Sequence, residues 1–273
     1  MKREGIAVGR TALLMVMTLP FIYPFVFLVA TALKPLPEFN QDSVGLPAHA
    51  TLENLSEAWN EASLGPAIVH SLIAVGIAVV LNVALSSVAA FWFVRHRGRL
   101  ATSLRWTLIA TMAVPAPVFI VPLFVQLSAW GLTDSLVTLG VVFAAWNVSF
   151  GLYLMYTFID ALPHELTEAA EVDGANSFQL LRSVLLPLSM PAMATLAVLT
   201  FVWSWSDLLI SIVLVQDPSR RLVTPATALL ADQYSTDIPK NAAGVLIAIL
   251  PMLAVFLFGQ RFLVRGILAG VGK

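Results

Sequence analysis

The chain has 273 residues, of which 59% are A, V, I, L, M, F, W, Y or C and only 11% are D, E, K or R. Soluble domains carry about a quarter of their residues as charges, so this composition excludes a soluble globular fold. A net charge of -1 gives no field for nucleic acid, there is no cysteine for a disulfide or thiol nucleophile, and no G-x-x-x-x-G-K-[ST] for a nucleotide.

Six apolar stretches follow along the chain, at about 13–33, 68–94, 106–127, 136–159, 188–215 and 242–260, and the only charged side chain in them is Asp207. Each has roughly the 20 residues a helix needs to cross a bilayer. The pattern predicts an all-α membrane protein, one transmembrane domain of six helices over residues 1–273.

The first stretch, with Lys2, Arg3 and Arg10 before it and Ala30-Thr31-Ala32 at its end, also resembles a signal peptide. Its 21 residues exceed the usual apolar core of about 7 to 15, and Pro20 and Pro24 interrupt it, so an uncleaved anchor is expected. After it, Leu52, Leu55 and Trp59 stand at i, i+3 and i+7 of a helix predicted over Thr51–Ala62. Two roles fit that helix: an amphipathic cap on the bundle mouth, or a docking surface for an external partner. Pro115, Pro117 and Pro122 predict a kink in the third span.

Orientation follows from Lys and Arg in the short connections. Eleven fall on the side of both termini and the even-numbered connections, and four (Lys34, Arg220, Arg221, Lys240) on the other. Both termini are therefore expected in the cytoplasm. The histidines, His49, His70, His96 and His164, lie singly, without metal-ligand spacing.

The fourth connection, about 160–187, departs from the basic pattern, with Asp160, Glu165, Glu168, Glu171 and Asp173 all preceding Arg182. An amphipathic helix lying on anionic lipid would present Lys and Arg instead. Glu165 suits the positive end of a first helix, and Leu166, Ala169 and Ala170 share one of its faces. Gly174 suits a turn with φ > 0, and Asn176 or Ser177 suits the cap of a second helix. A helix-turn-helix outside the membrane, shaped to enter a protein cleft, is the expectation.

Glu168-Ala169-Ala170-Glu171-Val172-Asp173-Gly174-Ala175, followed by Leu185-Leu186-Pro187-Leu188 and Pro191, resembles the EAA loop of ABC importer permeases. Thr51-Leu52-Glu53-Asn54, Val121-Pro122-Leu123, Trp203-Ser204-Trp205-Ser206-Asp207 and Gln260-Arg261-Phe262-Leu263-Val264-Arg265-Gly266 extend the resemblance to the carbohydrate branch, the maltose- and glycerol-phosphate-type inner membrane subunits. Ser206 departs from it, since the branch usually has Asn there. The resemblance implies a prokaryotic inner-membrane subunit that forms half of a sugar pore with a second, usually non-identical permease. An extracytoplasmic solute-binding protein would deliver the sugar. Two separate ATPase subunits would bind ATP and Mg; this chain would hold no cofactor and have no catalytic residue. The loop would dock in an ATPase cleft, with Glu168 and Asp173 as polar contacts, Ala169, Ala170 and Ala175 as its small-residue surface and Gly174 as the turn. Arg261 and Arg265 in the tail are candidate contacts with the same subunit.

Within the spans, an ionisable group marks a path or a pair. Asp207 is a candidate for bonding a neighbouring helix or subunit, or for touching sugar. Trp203 and Trp205 point to different faces of one helix, one as an interfacial anchor; Ser206 lies between them and Asp207. Gln126 and Asn147, like Asn82, suit either interhelical hydrogen bonds or substrate contacts. A self-sufficient secondary transporter using Asp207 as a proton or ion site is the alternative, but it has no use for the acidic loop.

Overall fold

The computed structural model describes residues 17–115, 117–231 and 236–261 in full, and the helical backbone alone at 2–16, 232–233 and 262–271. The described elements are all helical. α1 (Lys2–Ala32), α2 (Leu36–Gln41) and α3 (Glu53–Glu61) precede the long α4 (Leu64–Arg95). α5 (Arg99–Ala110) tightens into a 3₁₀ turn (Thr111–Ala113) and is followed by α6 (Pro117–Ala129) and α7 (Leu136–Asp160). α8 (His164–Val172), α9 (Ser177–Gln179), a π-helical stretch (Leu180–Leu185) and α10 (Leu186–Leu188) lead into α11 (Met190–Trp205). α12 (Leu209–Leu214), a 3₁₀ turn (Pro218–Arg220), α13 (Val223–Gln233) and α14 (Ile238–Val271) complete the order.

Among the described residues, three helices are long and apolar enough to cross a membrane: Leu64–Arg95, Leu136–Asp160 and Ile238–Arg261. Two bent pairs raise the number to five if each is one span: Arg99–Ala113 with Pro117–Ala129, and Ser177–Leu188 with Met190–Trp205, the latter bent by 74°. The stretches expected as continuous spans at 106–127 and 188–215 are therefore each interrupted. In the first, Pro115 follows the 3₁₀ turn, and proline removes a helical N–H and disfavours helix in the residue before it. In the second, the chain bends at Ser189, between α10 and α11, and unwinds at Ser206–Leu208 between α11 and α12.

The chain divides into two compact units, Met1–Gly65 with Ala226–Leu250, and Pro66–Pro225 with Pro251–Lys273. In the first unit, Ala32, Ala58, Leu230, Ala242 and Ala243 form a core of small residues. Asn54 is buried and its amide nitrogen donates to the carbonyls of Ala32 and Lys34, both at 2.9 Å. It thereby satisfies carbonyls that the end of α1 leaves without helical partners. Lys34 is also buried, its ammonium donating to the carbonyls of Asp42 (2.7 Å) and Gly45 (2.6 Å). On α3, Asn54 and Ala58 are buried, whereas Leu52 is 70% exposed and Trp59 is half-exposed. Leu52 precedes the helix as its N-cap, and Trp59 is set against Gly65, where an added Cβ would lie 3.0 Å from the indole. Small size and an amide, rather than bulk, select the inward face. Lys240 draws three carboxylates together here: Glu57 at 2.8 Å, Glu61 at 3.1 Å and Asp237 at 3.7 Å.

In the second unit, α4 and α7 pack closely through glycine, as helices in a bilayer do where dispersion and close approach replace the hydrophobic effect. A Cβ on Gly140 would stand 2.7 Å from the carbonyl oxygen of Ala74, and one on Gly151 would stand 2.7 Å from Oδ1 of Asn82. Asn82, fully buried on α4, donates to Thr200 Oγ1 of α11 (2.8 Å) and accepts from Ser86 (2.9 Å), so it is an interhelical hydrogen bond. Two apolar clusters lie along these helices, one around Ala74, Leu139, Phe143 and Leu214, the other around Phe93, Met155, Leu180, Leu185 and Leu196. Between α6 and α7, Asp134 takes φ +56°. Its carboxylate accepts the backbone N–H groups of Gln216 (2.6 Å) and Asp217 (2.7 Å).

Candidate functional site

The acidic connection forms the expected helix-turn-helix. α8 ends with Gly174 at φ +83°. Ala175 N–H donates to Ala170 O (2.9 Å) and Gly174 N–H to Glu171 O (3.0 Å), the paired bonds of a Schellman motif closed by a left-handed glycine. Asn176 then opens α9 through a capping box: its side chain accepts from Gln179 N–H (3.0 Å), while the Gln179 side chain accepts from Asn176 N–H (2.9 Å). A C-cap and an N-cap therefore abut within four residues, which leaves the turn few backbone groups to water alone.

The loop's tip is exposed and its roots are buried. Glu168, Ala169, Asp173 and Gly174 are exposed, while Ala170 and Ala175 are half-buried. Val172 is 87% exposed and Phe178 66%, so apolar side chains stand in water among acids. Leu180, Leu181 and Leu185 of the return limb are buried with α7 and α11. Arg97 of α4's trailing connection holds Asp160 at 3.0 Å, and Arg95 holds Glu171 at 2.7 Å. These two arginines counted in the sequence only toward orientation; the acids of the fourth connection, of which Asp160 and Glu171 meet them, were the signal of a specific pairing.

The membrane residues gather at the two interruptions. A cavity of about 550 Å³ lies there within the second unit, and Asn147, Trp203 and Asp207 line it. Asp207 does not reach a neighbouring helix: its Oδ1 accepts from Ile210 N–H (3.0 Å), Ser211 N–H (3.1 Å) and Ser211 Oγ (3.3 Å), capping the start of α12. Asn147 is buried and donates to Phe143 O (2.8 Å) and Ser204 Oγ (3.4 Å). Trp203 faces the cavity edge-on to Phe150 at 4.8 Å, whereas Trp205 is buried and stacked on Phe201 at 5.3 Å, so the two indoles do diverge. Ser206 is exposed, turned back to Val202 O (2.8 Å), and Gln126 lies on an exposed face of α6; neither lines the cavity. Thr111, Trp146 and Ser149 line it and were not anticipated; Thr111, in the 3₁₀ turn before Pro115, lies 2.6 Å from Ser149. Arg261 is exposed, and the side chain of Arg265 lies outside the described residues. Among the described residues, no group of three His, Cys, Asp or Glu side chains could hold a metal.

Residues 82–267 match the family model described as binding-protein-dependent transport system inner membrane component. A putative ABC transporter permease protein, ORF2, of Caldicellulosiruptor sp. is 33% identical over 95% of this chain and 94% of its own length. The diacetylchitobiose uptake system permease protein NgcG of Streptomyces coelicolor is 29% identical over 92% of this chain and 83% of its own. The melibiose/raffinose/stachyose import permease protein MelC of Bacillus subtilis is 29% identical over 92% and 91%. The fold matches a chain of a bacterial ABC transporter that imports the acidic polysaccharide alginate, with a TM-score of 0.77, 22% identity and coverage of 95% and 97%. The chain therefore belongs to the binding-protein-dependent transport system inner membrane components: it is a multi-pass permease subunit of an ABC importer, and ATP is hydrolysed by a separate subunit.

Proposed function

We propose that this chain forms half of a sugar-conducting pore with a second, non-identical permease, and that its loop at 160–187 carries motion from two ATPase subunits into the membrane. An extracytoplasmic solute-binding protein delivers the sugar, and ATP and Mg act in the ATPase partners. The chain crosses the membrane six times, with both termini in the cytoplasm; the eleven-to-four division of Lys and Arg supports that orientation. The named substrates of the relatives, diacetylchitobiose and the melibiose group, support a sugar as cargo.

One observation carries the coupling role: a turn locked by two adjoining caps presents exposed Val172 and Phe178 beside Glu168 and Asp173, while its return limb is buried in the core. Exposed apolar side chains on a rigid element mark a docking surface. As the ATPase dimer closes on ATP, the docked loop moves as one piece and α11 moves with it. The self-sufficient transporter driven through Asp207 is set aside, because the family is ATP-driven.

Gly174→Asp in the assembled complex tests this. The variant is expected to insert and fold, since nothing lies within 4 Å of an added Cβ, yet to recover less ATPase on affinity purification and to lose sugar uptake. Glu53→Ala, at an exposed acid that opens α3, serves as control. Normal uptake by Gly174→Asp with the ATPase fully retained would exclude the coupling role.

A further inference from the structure

We infer that the cavity at the two helix breaks is a subsite for one uncharged sugar unit, and that Asp207 makes it reject anionic sugars. The inference rests on the pore reading and deepens it.

The lining fits the two sides of a pyranose. Trp203 and Trp146 supply flat apolar surface, which suits the C–H face of a sugar ring. About 550 Å³ lies within the range of small-ligand pockets, roughly 300–1,000 Å³. The polar groups are rich in acceptors. Asn147 has committed its amide nitrogen to Phe143 and Ser204, which leaves its Oδ1. Thr111 Oγ1 donates to Leu108 O and meets Ser149 Oγ. Asp207 engages Oδ1 with three donors of its own segment, and Oδ2 accepts from none of the described residues. Sugar hydroxyls are donors as well as acceptors, so they match this set. Carboxylate and phosphate groups only accept.

Charge sharpens the choice. Among the described residues the lining contains no Lys, Arg or His, so an anionic sugar would meet the Asp207 carboxylate with no counter-charge from this chain. Like charges a few ångströms apart away from bulk water repel strongly enough to disfavour the anion tenfold or more, an order-of-magnitude figure.

The absence of native cysteine permits a direct test. Thr111→Cys, with Ser149→Cys as a second site, is introduced into the complete transporter in proteoliposomes. Its labelling is followed on this chain by mass spectrometry. The reagents are a trimethylammonium and a sulfonate methanethiosulfonate, each rate normalised to that of a free small thiol. The cationic reagent is expected to be favoured about tenfold or more. Asp207→Asn, which keeps a capping side chain, should bring the ratio to about one. A ratio unchanged by Asp207→Asn overturns the charge filter. Maltose, cellobiose, melibiose or diacetylchitobiose in excess should slow labelling, one of them by about threefold or more, and digalacturonate and glycerol phosphate should not. Protection by the anionic pair, or by none of the six, overturns the subsite. Failure of the pore reading looks different: both reagents are then excluded from either thiol in a complex that still hydrolyses ATP.

Discussion

Arg95, the last residue of α4, and Glu171, 76 residues later in α8, meet at 2.7 Å. The pair ties the outer limb of the acidic loop to a transmembrane helix other than the one that follows it. Both side chains are partly exposed, so the ion pair contributes about 1 kcal/mol or less to stability. Its effect lies in position. Arg95→Glu is expected to leave melting of the purified complex unchanged while reducing uptake per ATP hydrolysed. Arg95→Glu with Glu171→Arg should restore most of that ratio. A double variant no better than the single would show that the pairing does not orient α8.

The left-handed turn makes a graded prediction. An L-residue at φ +83° costs roughly 1–2 kcal/mol, and Asn tolerates that region better than β-branched residues. With no neighbour within 4 Å, the cost at Gly174 is conformational rather than steric. ATPase recovery should therefore fall in the order Gly, Asn, Ala, Val. Equal recovery for Asn and Val would mean that the backbone conformation is not what the partner reads.

Lys240 stands among Glu57, Glu61 and Asp237. Removing one partner of a fully buried ion pair costs about 3–5 kcal/mol; these carboxylates retain contact with solvent, so roughly 1–2 kcal/mol is expected for Lys240→Met. Thermal inactivation in detergent should come earlier. Adding Glu61→Met should recover part of the loss by removing one unpaired charge. No change in the single variant would show that the cluster is electrostatically idle.

Gly140→Ala probes the contact of α7 with α4. The new methyl would press on a backbone carbonyl, which cannot rotate away as a side chain does, and overpacking of this kind typically costs about 1–3 kcal/mol. Gly76→Ala, with nothing within 4 Å of its Cβ, is the matched control and should be neutral. Measured half-lives in detergent compare them, and equal half-lives would refute the close packing.

The acidic loop was legible because its signals are local: a glycine that must turn, an asparagine that can cap, and acids where lipid would favour bases. Those features survive in the structure at Gly174 and Asn176. The interruption after Trp205 was not read, because hydropathy continues through Leu208 to Val215 and its one trace, Ser206-Asp207, was taken for a bonding site rather than a helix restart. Asp207 was expected to bond a neighbouring helix or subunit, or to touch sugar; within this chain it caps the start of α12, a role visible only once the helix is known to restart at Leu209. On α3, the spacing of Leu52, Leu55 and Trp59 gave the helix but not its buried positions, which belong to Asn54, with its two amide donors, and Ala58, with its small size.

The π-helical stretch at Leu180–Leu185 sets a phase between the acidic turn and α11. One residue advances an α-helix by about 100°. A π turn closes i to i+5 rather than i to i+4, so the stretch already absorbs one extra residue. Deleting one would let it return to α-helical winding with the tip facing nearly as it does, whereas inserting one more would rotate everything before it by about that angle relative to α11. Phe178 and Val172 would then swing to another side of the loop with every local cap intact. The π turn thus takes up one residue without turning the tip, so the direction in which the tip faces depends on chain length here, independently of how well the tip is folded.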